Sequence, residues 1–364
     1  MKLLDKSKKI FISPSAFKDS ITSRGLTEFI KSYLWNRGFR NLNSFPGSDG
    51  GNGFLDSISA VYKGSFIQMD VPSLLKNGFH KENIFLIDDG RIAVIETASV
   101  IGIEKIPSAN RNPFEYNSQP LGFLISKLKL KYPDISEFWI GIGGTATVDF
   151  GMGILEGLGF NFKTENGNRI SPSLRNFNQI FSIETEKKYN FMLKFFYDVD
   201  NPVSERKNSF FDIYGPQKGL KLDFIKQIKQ DFYEFSDRFN LSNSITGAGG
   251  ALGLLPHKYL KTEFIKGTDF FFNNETFQNN LKDSDVIITG EGKLDSQTFQ
   301  GKWISGFLKY DKSVLCITGK NESDFIFHSN WKIEELFKLE PDIQKSIRQT
   351  KVLIRQILDS NISE

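Results

Sequence analysis

The sequence predicts an α/β fold with largely parallel sheets, arranged in two domains. Three observations carry this. Short apolar runs alternate with helix-period patterns through most of the chain. Several of these runs end in loops dense in glycine and acid. The 364 residues exceed one ordinary domain, at roughly 100–200 residues each.

In chain order, Lys9–Ile12 is a short apolar strand that Ser13, Pro14 and Ser15 break. Ser20 or Thr22 then offers an N-cap, and Leu26, Phe29, Ile30, Tyr33 and Leu34 keep helical spacing up to Gly38. Phe66–Val71, Ile84–Ile87 and Ile92–Ile95 have strand character, with Asp88-Asp89-Gly90 as the turn between the last two. Leu121–Leu130 is helical. Phe138–Ile142 is a strand running into Gly143-Gly144, and a helix is expected over Thr147–Leu158, ended by Gly159. Within it Gly151, Gly153 and Gly157 read as sites of close helix packing. Phe191–Tyr197 is another strand, stopping at Asp198. Leu222–Phe239 is amphipathic, with Phe224, Ile228, Phe232 and Phe235 on one face. Val286–Ile288 is an apolar strand, then a polar loop, then a helix from near Gln297. Pro341–Leu358 repeats the amphipathic pattern with Ile343, Ile347, Ile354 and Leu358. No repeat or long linker marks a border. The expectation is one α/β domain from both chain ends, residues 1–60 and 285–364, with 61–284 as an inserted α/β domain.

Composition excludes several classes. Lysines and acids alternate and the net charge is only +3, so no basic field for nucleic acid is implied. No run approaches the ~18 apolar residues of a membrane span. Met1–Lys9 carries lysines, but Ile10–Ile12 behind it is too short for the core of a secretory signal. The lone Cys316, in the apolar run Val314–Ile317, excludes a disulfide framework and a cysteine-based zinc site and reads as a core residue. These features together lead us to expect a cytoplasmic protein. His80, His257 and His328 share no metal-ligand spacing. The 36 phenylalanines read as compositional bias alongside lysine and asparagine rather than as function.

Ligands of open α/β sheets bind beyond the carboxyl ends of strands, and the polar loops here lie at such ends. Ser13–Ser20 places Lys18 and the Ser20 hydroxyl before a helix N-terminus, a setting for phosphate or carboxylate; the alternative is a solvated lysine. Gly47–Gly53 packs Gly50 and Gly51 around Asp49, either as a plain turn or as backbone that approaches a ligand. Gly141–Asp149 runs from a strand through Gly143, Gly144 and Thr145 to a helix, the makings of a phosphate cradle, without the Gly-Lys-Ser/Thr ending of a Walker A loop. Asp198 and Asp200 alternate at a strand end and so share a side; such a pair holds Mg2+, takes a hydroxyl proton, or caps the next turn. After Val286–Ile288 come Gly290, Glu291, Gly292, Asp295 and Ser296, an active-site loop or a set of solvated turn acids. Gly215–Gly219 and Thr246–Gly253 add glycine-rich backbone.

Taken in order, Pro14–Ser20, Arg111-Asn112-Pro113, Asp198–Pro202, Gly215-Pro216-Gln217-Lys218-Gly219 and Ile288–Thr298 resemble the signatures of the bacterial glycerate kinase family, the group containing the glycerate 2-kinases. The resemblance covers roughly Ile10 to Gly319. It implies a two-domain α/β kinase, with one Rossmann/flavodoxin-like domain, that moves the γ-phosphoryl of ATP onto glycerate with Mg2+, the 2-hydroxyl being favoured. Under it Lys18 would meet phosphate or the glycerate carboxylate, and Asp198 would serve as base or metal contact. Asp295 and Glu291 would be ligands of metal or substrate hydroxyl. Gly143, Gly144 and Thr145 would approach phosphate through N–H and hydroxyl. Asp49, Asp149, Gly50, Gly51, Ser20 and Ser296 would complete the polar cleft. The implied partner is a small hydroxy acid, with no nucleic acid and no membrane.

The chain departs from the family pattern at several positions. Asp19 and Phe150 stand where glycine is usual, Val148 where asparagine is, and Asn52 and Phe54 replace an acid and a hydroxyl. Trp303-Ile304 replaces Ala-Pro, and the run after Pro113 is eroded. Asn52, Phe54 and Val148 are expected to make the cleft less acidic and more apolar. A substrate-shifted or non-catalytic member of the same fold is therefore the alternative.

Overall fold

The computed structural model describes residues 2–75, 78–199, 201, 203, 209–241, 245–296, 298 and 301–363. Asp200, Pro202 and Gln297, named above, lie outside the described residues. The strands are β1 (Ile10–Ile12), β2 (Leu42–Ser44), β3 (Gly64–Pro72), β4 (Phe79–Ile87), β5 (Ile92–Glu96), β6 (Glu137–Gly141), β7 (Asn161–Lys163), β8 (Ser182–Glu184), β9 (Met192–Tyr197), β10 (Lys261–Lys266), β11 (Val286–Leu294), β12 (Ser313–Asn321) and β13 (Trp331–Glu335). The chain divides into two compact units, Met1–Tyr62 with Gly267–Glu364, and Lys63–Lys266. Among the described residues no helix is long and apolar enough to cross a membrane.

The terminal unit holds a parallel sheet of order β13-β12-β11-β1-β2. Counted within the unit this is 2-1-3-4-5, the flavodoxin-like order, with its switch point between β1 and β11. Continuous apolar runs build it because both faces are covered. Ile10, Ile12, Ile288, Leu315 and Ile317 face the helices Ser23–Asn36 and Ile343–Asn361, which contribute Leu26, Ile30, Leu34, Leu353, Ile354 and Leu358. Thr22 caps the first helix by accepting from the Gly25 N–H, and Asp342 caps the second through Lys345. Ile343, expected on the apolar face of that helix, is exposed instead.

The other face is aromatic. Phe11 meets Phe277 edge-on, and Phe45 stacks on Trp303 at 5.8 Å between centroids. Phe271, Phe272 and Phe277 surround the same indole. That packing explains why residues 267–284, expected in the inserted segment, fall in the terminal unit. The strand expected to end at Ile288 runs on to Leu294, because β12 is equally long and pairs with it through Leu294↔Asn321. Gly290, Glu291 and Gly292 are therefore strand residues, not loop residues.

The inserted unit has the mixed order β10-β9-β6-β5-β4-β3. Strands β5, β6, β9 and β10 are parallel, and β3 and β4 join as antiparallel neighbours. Strands β7 and β8 form a separate antiparallel pair. Asp88, Asp89 and Gly90 all take positive φ in the turn between β4 and β5. Helices Gln119–Lys131 and Met152–Leu158 pack at backbone distance, since a Cβ on Gly122, Gly153 or Gly157 would run into the backbone of the partner. The second of these begins at Met152, not at Thr147 as the sequence led us to expect. Phe150 and Gly151 have φ of +57° and +78°, which no helix accommodates. In helix Leu222–Arg238 the buried face is Ile225, Ile228, Phe232 and Phe235. Phe224, expected there, is exposed and meets Phe114 edge-on.

The departures from the family pattern have a common structural meaning. Asp19 and Phe150 are both left-handed, at φ +63° and +57°, which accounts for the usual glycine at each. Asp tolerates that region better than most residues. Phe150 is held there by aromatic contacts with Phe177, Phe210, Phe211, Phe232 and Phe235. Phe54 and Trp303 are also fully buried in aromatic packing. Phe54 therefore does not make a cleft more apolar; it fills a core.

Candidate active site

In the terminal unit the candidate site lies at the switch point. The Ser13–Ser20 loop leaves β1 with Ser13 N–H on Ile288 O and Ser15 N–H on Gly290 O. The Ser13 carbonyl is fixed again by the Thr289 hydroxyl at 2.8 Å and the Trp303 indole N–H at 3.0 Å. Gly47 N–H donates to Pro14 O, so the Gly47–Gly53 loop lies against the first. Gly50, at φ +101°, donates to Ser48 Oγ, and Gly51 O accepts from the Phe54 N–H. Lys18 is exposed on its loop. Ser20 is not brought to this set: its hydroxyl donates to Thr350 Oγ1 at 2.6 Å, on the C-terminal helix.

Glu291 sits on β11 and is only 8% exposed. Burial pushes its carboxyl up to about 7; the nearby charges of Asp49 and Asp295 act in the same direction, while the Thr298 hydroxyl bond and Lys302 oppose it. Thr298 donates to Glu291 Oε1 at 2.6 Å and accepts from the Asp295 N–H at 3.1 Å. Asp49 and Asp295 are thus both close enough for their charges to act on Glu291, with the exposed Ser296 next to Asp295 in sequence.

This raised value sets a pH dependence. The folded protein keeps a proton on Glu291 that the unfolded chain releases near the ordinary 4.5. Folded stability therefore falls as pH rises from about 4.5 through 7. Glu291→Gln, which is permanently neutral, is expected to flatten that fall. Urea unfolding of both proteins at several pH values across the window checks it; an unchanged slope in the variant would assign the effect to other groups.

In the inserted unit the candidate site is the loop after β6. The Thr97 hydroxyl donates to Gly141 O at 2.8 Å, Ile103 N–H donates to Gly144 O, and Ala146 N–H donates to Ile101 O. Among the described residues no acceptor takes the N–H of Gly143, Gly144 or Thr145. Gly144 has φ +72°, and three successive amides with no acceptor among the described residues are the kind of backbone from which an anion nest can be built. The Thr145 hydroxyl donates to Gly249 O at 2.9 Å.

Behind this loop is Lys218, 4% exposed, whose Nζ donates to Thr145 Oγ1 at 3.0 Å and to Thr147 O at 2.8 Å. Burial pulls its ammonium down to about 7, against the attraction of Asp149 and Asp198. The turn that carries it is fixed by the Arg111 guanidinium, which donates to Gln217 O, and by Gly219, where any Cβ would strike Arg111 O. The sequence analysis took Gly215–Gly219 as glycine-rich backbone and as a family signature, and gave Lys218 itself no role. A lysine between glycines was visible; that it would be buried was not, because lysine is rarely so.

Asp149 is fully buried. Its Oδ2 accepts from the Ser118 N–H, the Ser118 hydroxyl and the Gly153 N–H at 2.9, 2.7 and 2.9 Å. Its Oδ1 and the Thr147 hydroxyl are buried with no hydrogen-bond partner among the described residues. Asp149 is thus first a tether inside the inserted unit. Asp198 is half-buried at the end of β9. Burial and the Asp198 charge together push the Tyr214 phenol up, and that phenol donates to Asn201 Oδ1 at 3.0 Å. Among the described residues no group of three or more His, Cys, Asp or Glu side chains is placed to hold a metal ion.

Residues 10–362 match the glycerate kinase family model. The chain is 32% identical over 357 residues to a glycerate kinase of Bacillus subtilis (strain 168), covering 92% of this chain and 90% of that one. It is 31% identical over 316 residues to a glycerate kinase of Neisseria meningitidis serogroup B, covering 83% and 82%. Against the glycerate 2-kinase of Escherichia coli (strain K12) it is 27% identical over 337 residues, covering 87% and 86%. A crystal structure described as a glycerate kinase 2 from Salmonella typhimurium LT2 aligns with a TM-score of 0.68 at 24% identity over 97% of this chain and 98% of that one. At that identity the likeness bears on the fold.

Proposed function

Because the chain belongs to the glycerate kinase family, we propose that it transfers the γ-phosphoryl of ATP to glycerate with Mg2+, the 2-hydroxyl being the acceptor. The observation that carries the phosphate chemistry is the loop Gly143–Thr145, whose successive amides have no acceptor among the described residues and whose Thr145 hydroxyl takes a bond from the buried Lys218 ammonium. Phosphoryl transfer asks a protein for positioning and charge stabilisation more than for covalent chemistry. Here the amides of Gly143, Gly144 and Thr145 hold phosphate oxygens. Asp198 receives the hydroxyl proton or contacts Mg2+, and Glu291, Asp295 and Asp49 bind the metal or the substrate hydroxyls. Lys18 takes a phosphate or the glycerate carboxylate. Mg2+, when bound, neutralises charge on the phosphates. The cytoplasmic location expected from the sequence belongs to the same proposal.

The alternative of a non-catalytic or substrate-shifted protein rests on the loop departures. Three of them, Phe54, Phe150 and Trp303, are core aromatics, and Asp49, Asp198, Glu291 and Asp295 all remain. That favours an active enzyme. A coupled ADP-release assay with Mg2+-ATP and D-glycerate, against a no-acceptor control, tests it, and NMR of the product identifies the phosphorylated hydroxyl. Acceptor-dependent release is expected; its absence in folded protein that binds ATP would overturn the reading.

A further inference from the structure

We propose that Lys218 is a positioning residue for nucleotide phosphate: it braces Thr145 and Thr147 from behind so that the amides of Gly143, Gly144 and Thr145 stay converged. The inference rests on the reading that this loop takes phosphate. A hydroxyl donates only the hydrogen it carries. The Thr145 hydroxyl has one, and gives it to Gly249 O. Its lone pair takes a Lys218 N–H. While both bonds stand, the hydroxyl has no hydrogen for a phosphate oxygen, so Thr145 serves the ligand through its amide and uses its hydroxyl as a strut. Sequence reasoning gave that hydroxyl to phosphate; the geometry reassigns it.

The second Lys218 bond, to Thr147 O, fixes the loop two residues further on. Between β6 and helix Met152–Leu158 no regular ladder orders this backbone, and the ammonium ties it at two points from one atom. No carboxylate lies within ion-pair distance of Lys218 among the described residues. A buried lysine without such a partner costs stability, so a residue of purely structural value would be better replaced by an apolar one. What the ammonium adds is positive potential behind a row of N–H groups, where an anion would rest. The rigid Gly215–Gly219 turn, wedged on Arg111, holds it there.

The test uses Lys218→Met, which keeps an unbranched chain of similar length, together with Thr145→Val and the double variant. Calorimetry with MgATP and steady-state kinetics are measured on each. Lys218→Met is expected to weaken MgATP binding at least tenfold and to raise KM for ATP in step, with KM for glycerate within twofold and thermal stability not lowered. Thr145→Val is expected to weaken MgATP binding in the same direction, and the double variant to bind no more weakly than Lys218→Met, because both changes act through one strut. MgATP affinity within twofold of the parent in Lys218→Met, or strictly multiplying losses in the double variant, would overturn the proposal while leaving the kinase reading intact. If Lys218→Met does not fold, Thr145→Val decides alone by the same affinity criterion. A parent protein that binds no MgATP removes both the reading and the brace.

Discussion

Asp198→Asn is expected to lower turnover about 10²–10⁴-fold, the range typical of losing a general base, with the fold unchanged. The substitution keeps shape and volume and removes the charge. At a half-buried strand end this leaves packing undisturbed. Two neighbours report that the charge is felt: it helps raise the Tyr214 phenol and helps keep Lys218 protonated. An amide neither takes a hydroxyl proton nor binds Mg2+ well, so both roles considered for Asp198 fail together. Titrating Mg2+ separates them. A variant that recovers part of its rate at high Mg2+ has lost a metal contact, whereas one whose Mg2+ dependence is unchanged has lost a base. Turnover within threefold of the parent would remove Asp198 from both.

What the sequence made legible was local. The runs Ile10–Ile12, Val286–Ile288 and Val314–Ile317 are apolar without alternation, the mark of strands covered on both faces, and they lie in the adjacent strands β1, β11 and β12. Their order was not legible, because β1 pairs with β11 across almost the whole chain. The extension of β11 was hidden for the same reason. Gly290 and Gly292 read as loop glycines, yet Gly290 is glycine because a Cβ would strike Ile317 O on β12. Strand length was set by a partner the local pattern does not contain.

The site divides along the same line. Acids at strand ends announce themselves, and the charges of Asp49 and Asp295 both act on Glu291. Whether a polar group faces a ligand or a neighbouring helix depends on tertiary packing. Ser20 turns to Thr350, and Asp149 turns to Ser118. Lys218 is the converse case, a residue overlooked because its significance is burial.

Asp149→Ala is expected to destabilise the protein by about 3–5 kcal/mol, as breaking a buried polar network does. Helix Met152–Leu158 starts behind Gly151, which offers no side-chain cap. Asp149 and Ser118 supply one instead: Asp149 Oδ2 accepts from the Gly153 N–H, and Ser118 Oγ accepts from the Ile154 N–H at 3.0 Å while donating its own hydrogen back to Asp149. Alanine would leave the Ser118 N–H, the Ser118 hydroxyl and the Gly153 N–H without that acceptor in a fully buried place, at about 1–3 kcal/mol each before relaxation. Loss of a buried charge offsets part of this. Asp149→Asn keeps one oxygen for the same three donors and is expected to cost less, about 1 kcal/mol. Urea unfolding of the two variants decides between a tether and a charge. A large loss in alanine with a small one in asparagine identifies the hydrogen bonds as what holds the loop, whereas equal losses would assign the effect to the carboxylate's charge and its attraction for Lys218.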